Sequence, residues 1–96
     1  MKITKELLAG KILEYLNRRI AANDLAVWAE DAMIESDYQD EYFTEIAETV
    51  AKIGLMNVKG FELPIAFFLN VLIKLDYLTI FGLEPATEKV NALIYA

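Results

Sequence analysis

The segment Pro64 to Leu75, PIAFFLNVLIKL, limits most severely what this chain can fold into. On a helical wheel it is polar only at Asn70 and Lys74, which lie four residues apart and so sit side by side. A helix apolar over most of its circumference must be covered on more than one side. Two arrangements provide that cover. The helix is central, surrounded by the others of its own chain, or one of its sides meets a second copy across a two-fold axis. In the second case Phe67, Phe68, Val71, Leu72 and Leu75 form the self-association surface, and the chain is a structural homodimer module. Phe61, Leu78, Ile80 and Phe81 flank the segment and add to its apolar load. The longest apolar run, Leu63 to Ile73, is about half of what a bilayer requires, and Lys74 and Asp76 follow it at once. A membrane span is not expected.

The remainder of the chain reads as short amphipathic helices. Thr4 is a suitable N-cap for a first helix to about Arg19, with Leu8, Ile12, Tyr15, Leu16 and Ile20 along one side. Gly10 in its middle costs about 1 kcal/mol relative to alanine, which suggests a close packing contact there. Asn23 is expected to cap a second helix, Asp24 to about Glu35, with Leu25, Trp28, Ala29, Ala32 and Met33 as the buried stripe. Ser36 and Gln39 have capping-box spacing before a third helix, about Tyr38 to Ile53. Its inward residues are Phe43, Ile46, Ala47, Val50 and Ile53, and Gly54 stands where a left-handed C-cap belongs. Gly60 then allows a tight turn.

Pro64 at the first helical position opens a fourth helix to about Asp76. YLTIF, Tyr77 to Phe81, is extended in composition. Pro85 opens a last helix with Ala86, Val90, Leu93 and Ile94 inward; the competing arrangement pairs YLTIF with VNALIY as a hairpin. The expected fold is therefore all-α: one domain, residues 1–96, forming a bundle of about five helices with a short extended segment near the C-terminus.

Charge is distributed unevenly. Residues 1–19 carry five bases and two acids, and residues 52–96 carry four of each. Between Arg19 and Lys52 stand nine acids and no base: Asp24, Glu30, Asp31, Glu35, Asp37, Asp40, Glu41, Glu45 and Glu48. This one helix–loop–helix therefore carries all of the chain's excess negative charge, and the +3 of residues 1–19 reduces its −9 to the net −6. Glu41, Glu45 and Glu48 fall in one row at helical spacing, where like charges repel by a few tenths of a kcal/mol per pair. Asp40 and Glu41 in the first turn are welcomed by the helix dipole. Such a face suits a basic partner protein, with Asp37, Asp40, Glu41, Glu45 and Glu48 as contacts and Tyr38 and Tyr42 as anchors between them. A solvated face kept acidic for solubility and an internal pairing with Arg18 and Arg19 of the basic first helix are the alternatives.

Several chemistries are excluded or disfavoured. There is no cysteine and no histidine, which removes disulfides, thiolate nucleophiles, cysteine zinc sites and the usual general base. An EF-hand started at Asp37 places Tyr42 where the loop needs glycine. A di-iron bundle needs histidine. The one serine, Ser36, has no conventional activating base. The acids occupy the outer faces of amphipathic helices rather than a cleft suited to glycoside hydrolysis. The four glycines, at 10, 54, 60 and 82, make no phosphate loop, and a pI near 4.5 disfavours nucleic acid. Neither a cofactor nor a metal is expected, and neither is catalysis. The N-terminus lacks the apolar core of a signal peptide, so a cytoplasmic location is expected.

Glu14 to Met33, EYLNRRIAANDLAVWAEDAM, resembles a pattern in a family of small acidic helical bacterial proteins. In them a helix ending Tyr-Leu-Asn leads through a short turn into Leu-x-x-Trp-Ala-Glu-x-Ala. Here those residues are Tyr15, Leu16 and Asn17, then Leu25, Trp28, Ala29, Glu30 and Ala32. Most are core or capping types, so the resemblance implies a shared fold and brings no activity with it. In size and charge alone the chain is also similar to immunity proteins, which block basic nuclease toxins with a carboxylate-rich face.

Overall fold

The computed structural model describes residues 2–78 and 84–85. Thr4 begins the first helix, α1 (Lys5–Leu16), and its hydroxyl accepts from the Leu7 N–H at 3.1 Å, satisfying one of the free amides of the first turn. The helix ends earlier than its periodicity predicts. Asn17 caps it, Arg18 turns left-handed at φ 61°, and the Arg19 N–H returns to the Glu14 carbonyl at 2.8 Å, as in a Schellman closure. Leu8, Ala9 and Ile12 are buried, while Tyr15, Leu16 and Ile20 pack against the core from its edge. A Cβ added at Gly10 would meet nothing within 4 Å. The close contact expected at that glycine is absent.

The second helix, α2 (Ala22–Glu35), starts before Asn23. Ala21 is the N-cap, and Asp24 reaches back to accept from the Ala21 N–H at 2.9 Å. Asn23 instead accepts from the Asn57 side-chain amide, also at 2.9 Å, tying the start of α2 to the segment after the third helix. Its buried stripe is Leu25, Ala26, Ala29 and Ala32. Trp28 is half-buried at the edge of the core and Met33 is exposed, its Cε lying over Gly54 of the third helix.

The third helix, α3 (Phe43–Gly54), is five residues shorter at its start than the sequence suggests. Residues Asp37–Tyr38 form a two-residue strand, β2, parallel to β1 (Lys2–Ile3), with Lys2 opposite Asp37 and Ile3 opposite Tyr38. Gln39 makes no capping box with Ser36. Its Oε1 accepts from the Lys5 N–H at 2.7 Å, and its own N–H donates to the Ile3 carbonyl at 3.0 Å. Tyr42, left-handed at φ 63°, is the N-cap. Ile46, Val50 and Ile53 are buried as predicted and Ala47 partly so, but Phe43 is half exposed and stands edge-on to Tyr38 at 5.8 Å. Gly54 is not a left-handed cap. It is the last residue of α3, buried where α2 crosses it, and a Cβ there would come within 2.7 Å of Met33 Cε.

Gly60 turns at φ 92°, as its position in the sequence predicts. Pro64, expected as the first helical residue, is instead the N-cap of α4 (Ile65–Lys74), which starts one position later. Beyond it Tyr77–Leu78 (β3) pairs antiparallel with Glu84–Pro85 (β4). Pro85 therefore belongs to a strand rather than opening a helix. The rest of the proposed last helix, and of the alternative hairpin, lies outside the described residues.

The described part is mostly helical, with four helices and two short strand pairs. Its core joins Ile3, Leu8 and Ile12 to Leu25, Ile46, Val50 and Ile53, and to Phe68, Leu72 and Leu75. The Phe68 ring is tilted against Tyr15 at 5.1 Å. The closest helix pairing is α2 with α3. Among the described residues the fourth helix lies against α1 and α3 and is not surrounded: Ile65 and Ile73 are 65% and 61% exposed.

Candidate functional site: the acidic connection and the α3–α4 groove

The acids of the block divide into groups once the chain is folded. Asp37, Asp40 and Glu41 are exposed in the connection between α2 and α3, with Tyr38 and Tyr42 half-buried among them. Both tyrosines pack against the core, so they anchor the connection to its own molecule and offer only an outer edge. Tyr42 also lies beneath the Lys5 ammonium, 4.8 Å from its ring centre, and Tyr77 lies 5.3 Å from the same nitrogen. Burial, with Glu6, Tyr42 and Asp76 nearby, pushes the Tyr77 hydroxyl above its ordinary pKa.

The predicted row of Glu41, Glu45 and Glu48 is interrupted. Glu41 precedes α3, in the turn closed by the Phe43 N–H on the Asp40 carbonyl at 3.2 Å, and the acid of the first helical turn is Glu45. Glu45 and Glu48 look instead onto a small recess of about 60 Å³ between α3 and α4, lined also by Thr49, Lys52, Phe67, Val71 and Lys74. On α2, Asp31 and Glu35 border a separate recess beside Trp28.

None of the nine acids lies within 4.0 Å of a lysine or arginine among the described residues. The ion pair formed between described residues is Lys11 with Glu14 at 3.6 Å, one turn apart on α1. Arg18 and Arg19 are exposed and do not cover the block. Among the described residues no group of three or more acidic side chains converges closely enough to hold a metal ion. No described helix is long and apolar enough to cross a membrane.

Four of the five residues expected to form a self-association surface are committed to the core of their own chain. Phe68, Val71, Leu72 and Leu75 are buried and only Phe67 is partly open. The accessible apolar side chains lie elsewhere: Val27, Met33 and Ile34 on α2, Phe43 at the start of α3, and Leu55, Val58, Phe61, Ile65 and Ile73 around α4 and the segment before it. Leu55 and Phe61, with Leu63 and Phe67, line a recess of about 410 Å³ that also touches Lys52, Gly60 and Glu62. Lys52 and Phe67 border both recesses, and the Lys52 ammonium sits 5.7 Å from the Phe67 ring centre. The two recesses thus adjoin at Lys52 and Phe67 and together form the α3–α4 groove. Sequence reasoning passed over Lys52, Lys74, Leu55 and Phe61 as site residues. The available signal was the spacing of Lys52 two helical turns after Glu45 on the same stripe. Comparison with family models, curated proteins and solved structures finds no match to this chain.

Proposed function

We propose that this is a non-catalytic binding protein whose α2–α3 unit receives a basic partner protein. The observation that carries the reading is the lack of internal neutralisation: nine acids with no base among them in sequence gain none by folding, among the described residues. Exposed charge of one sign steers an oppositely charged partner and raises the rate of encounter. Asp37, Asp40 and Glu41 in the connection, with Glu45 and Glu48 on α3, form the contact group, and the edges of Tyr38 and Tyr42 add contact area beside the charges. The protein acts in the cytoplasm, without cofactor, membrane or nucleic acid. The scaffold implied by the Glu14–Met33 resemblance, a small all-α bundle, is the setting we assign to it. Likeness to immunity proteins is one of charge and size and carries only the general mode of binding.

The test compares two baits in lysate of the source organism: the wild-type chain and a variant with Asp40, Glu41 and Glu48 changed to Lys. A basic protein retained by the first, lost with the second and eluted by about 0.5 M salt is the expected result. If both baits retain the same proteins, the acids are solvent surface and the reading fails.

A second reading, a self-associating structural module, is favoured by the exposed apolar residues Leu55 and Phe61 beside α4. It requires a different surface from the one its sequence suggests.

A further inference from the structure

We infer that the α3–α4 groove is a self-complementary surface that pairs with a second copy of this chain. The inference does not rest on the basic-partner reading: it shares Glu45 and Glu48 with that surface, so the two associations compete there, but it needs the two lysines of the groove as much as its acids.

Glu45, Glu48, Lys52 and Lys74 line one recess, and no two of opposite sign come within 4.0 Å of each other. Beside them is the apolar recess of about 410 Å³, with Leu55 46% and Phe61 52% exposed. A wholly basic occupant would meet two lysines, a wholly acidic one two glutamates, and a wholly apolar one would bury all four charges unpaired. A two-fold interface has a different requirement. The same patch faces itself, so it must carry both signs, each placed to meet its opposite on the other copy.

The register fits. Glu45 and Lys52 are seven residues apart, about 10.5 Å along the helix axis, with Glu48 and Thr49 between them on the same side of α3. Thr49 is buried, so the contact passes over the exposed Glu48: two α3 helices crossing antiparallel about an axis beside Glu48 bring Glu45 of each copy to Lys52 of the other. The contact is made twice by symmetry. Lys74, on α4, lines the same recess, and the apolar recess that shares Lys52 with it extends the contact. The patch is smaller than the roughly 20 to 30 residues a side of a standard stable interface, which points to a weak dimer, and a dissociation constant on the order of 10 to 100 µM is the range to test.

Sedimentation equilibrium of the full chain, from about 5 to about 300 µM in about 0.15 M salt, tests this at concentrations spanning that range. The wild-type mass should rise from 10.9 kDa toward twice that value. Glu45→Lys alone and Lys52→Glu alone each weaken association at least about tenfold, because like charges then meet at both symmetric contacts. An equimolar mixture of the two single variants restores it, since each contact again joins opposite charges; so does the double variant. Circular dichroism checks that every variant keeps its helices. A wild-type chain that stays monomeric overturns the inference. So does a dimer indifferent to both single variants, or one that the mixture fails to restore. Lys52→Glu leaves every acid of the α2–α3 block in place, so loss of the dimer and loss of basic-partner capture are read separately.

Discussion

Gly10 illustrates how little a single residue type fixes without its surroundings. In the middle of an amphipathic helix a glycine suggests that a neighbouring backbone comes close. Here there is open space where its side chain would be, whereas the helix-terminal Gly54, which the pattern marks as a cap, is the one pressed against α2. Gly10→Ala should therefore stabilise the fold by about 0.5 to 1 kcal/mol, the helix-propensity difference with no steric charge against it. Thermal or urea unfolding of the two chains measures this, and a less stable alanine variant would show that the site is closely packed after all. The left-handed turns are equally hard to read from residue type. Arg18, Tyr42 and Asp76 all adopt positive φ, although glycine is the residue that does so without strain. Each ends or begins a helix, and the hydrogen bonds of the turn outweigh the local strain of about 1 to 3 kcal/mol.

Among the elements, the connection from α2 to α3 differs most from its sequence pattern. Ser36 with Gln39 has the spacing of a capping box, and a helix from Tyr38 satisfies local propensity. The chain instead sends Asp37–Tyr38 alongside Lys2–Ile3 and uses the Gln39 amide to satisfy the first free N–H of α1. Two residues of strand have no periodicity to detect, and their partner lies more than thirty positions away. Gln39→Ala should cost about 1 to 2 kcal/mol, since it leaves a part-buried amide without its acceptor. Unfolding by denaturant measures that cost, and hydrogen exchange should accelerate at the Lys5 amide in particular. A variant as stable as wild type would mean that water replaces the amide and that the Gln39 contact does not fasten the two segments together. The α4 helix departs from expectation in a related way. Its all-round apolar sequence requires cover, and the fold supplies it over one side, at Phe68, Val71, Leu72 and Leu75, leaving Ile73 outside.

At the scale of the whole molecule the unbalanced charge has a measurable consequence. Nine acids with no lysine or arginine within 4.0 Å among the described residues are held closer together by folding than in the extended chain, so the folded state bears more self-repulsion. Raising salt from about 0.01 M to about 0.3 M shortens the Debye length from about 30 Å to well under 10 Å, and the melting temperature should rise by a few degrees. The measurement belongs at low protein concentration, where association contributes nothing. Glu48→Lys should flatten the dependence. A melting temperature that falls with added salt would mean that attractive pairs, not repulsion, dominate the surface.

The sequence by itself determined the helical character, the Thr4 cap, the Gly60 turn and the inward stripe of Ile46, Val50 and Ile53, because these depend on residues a few positions apart. It also determined the charge inequality, which is a matter of counting. Only the tertiary structure decided which of those charges share a surface and which apolar residues stay in reach of solvent. The row of Glu41, Glu45 and Glu48 is broken where β2 and the Tyr42 turn delay the start of α3, and Lys52 and Lys74 join the glutamates from two different helices. Burial at Phe68 and exposure at Phe61 follow from which helix lies against which. That is a property of long-range packing, in which a few kcal/mol of core contact override the local pattern.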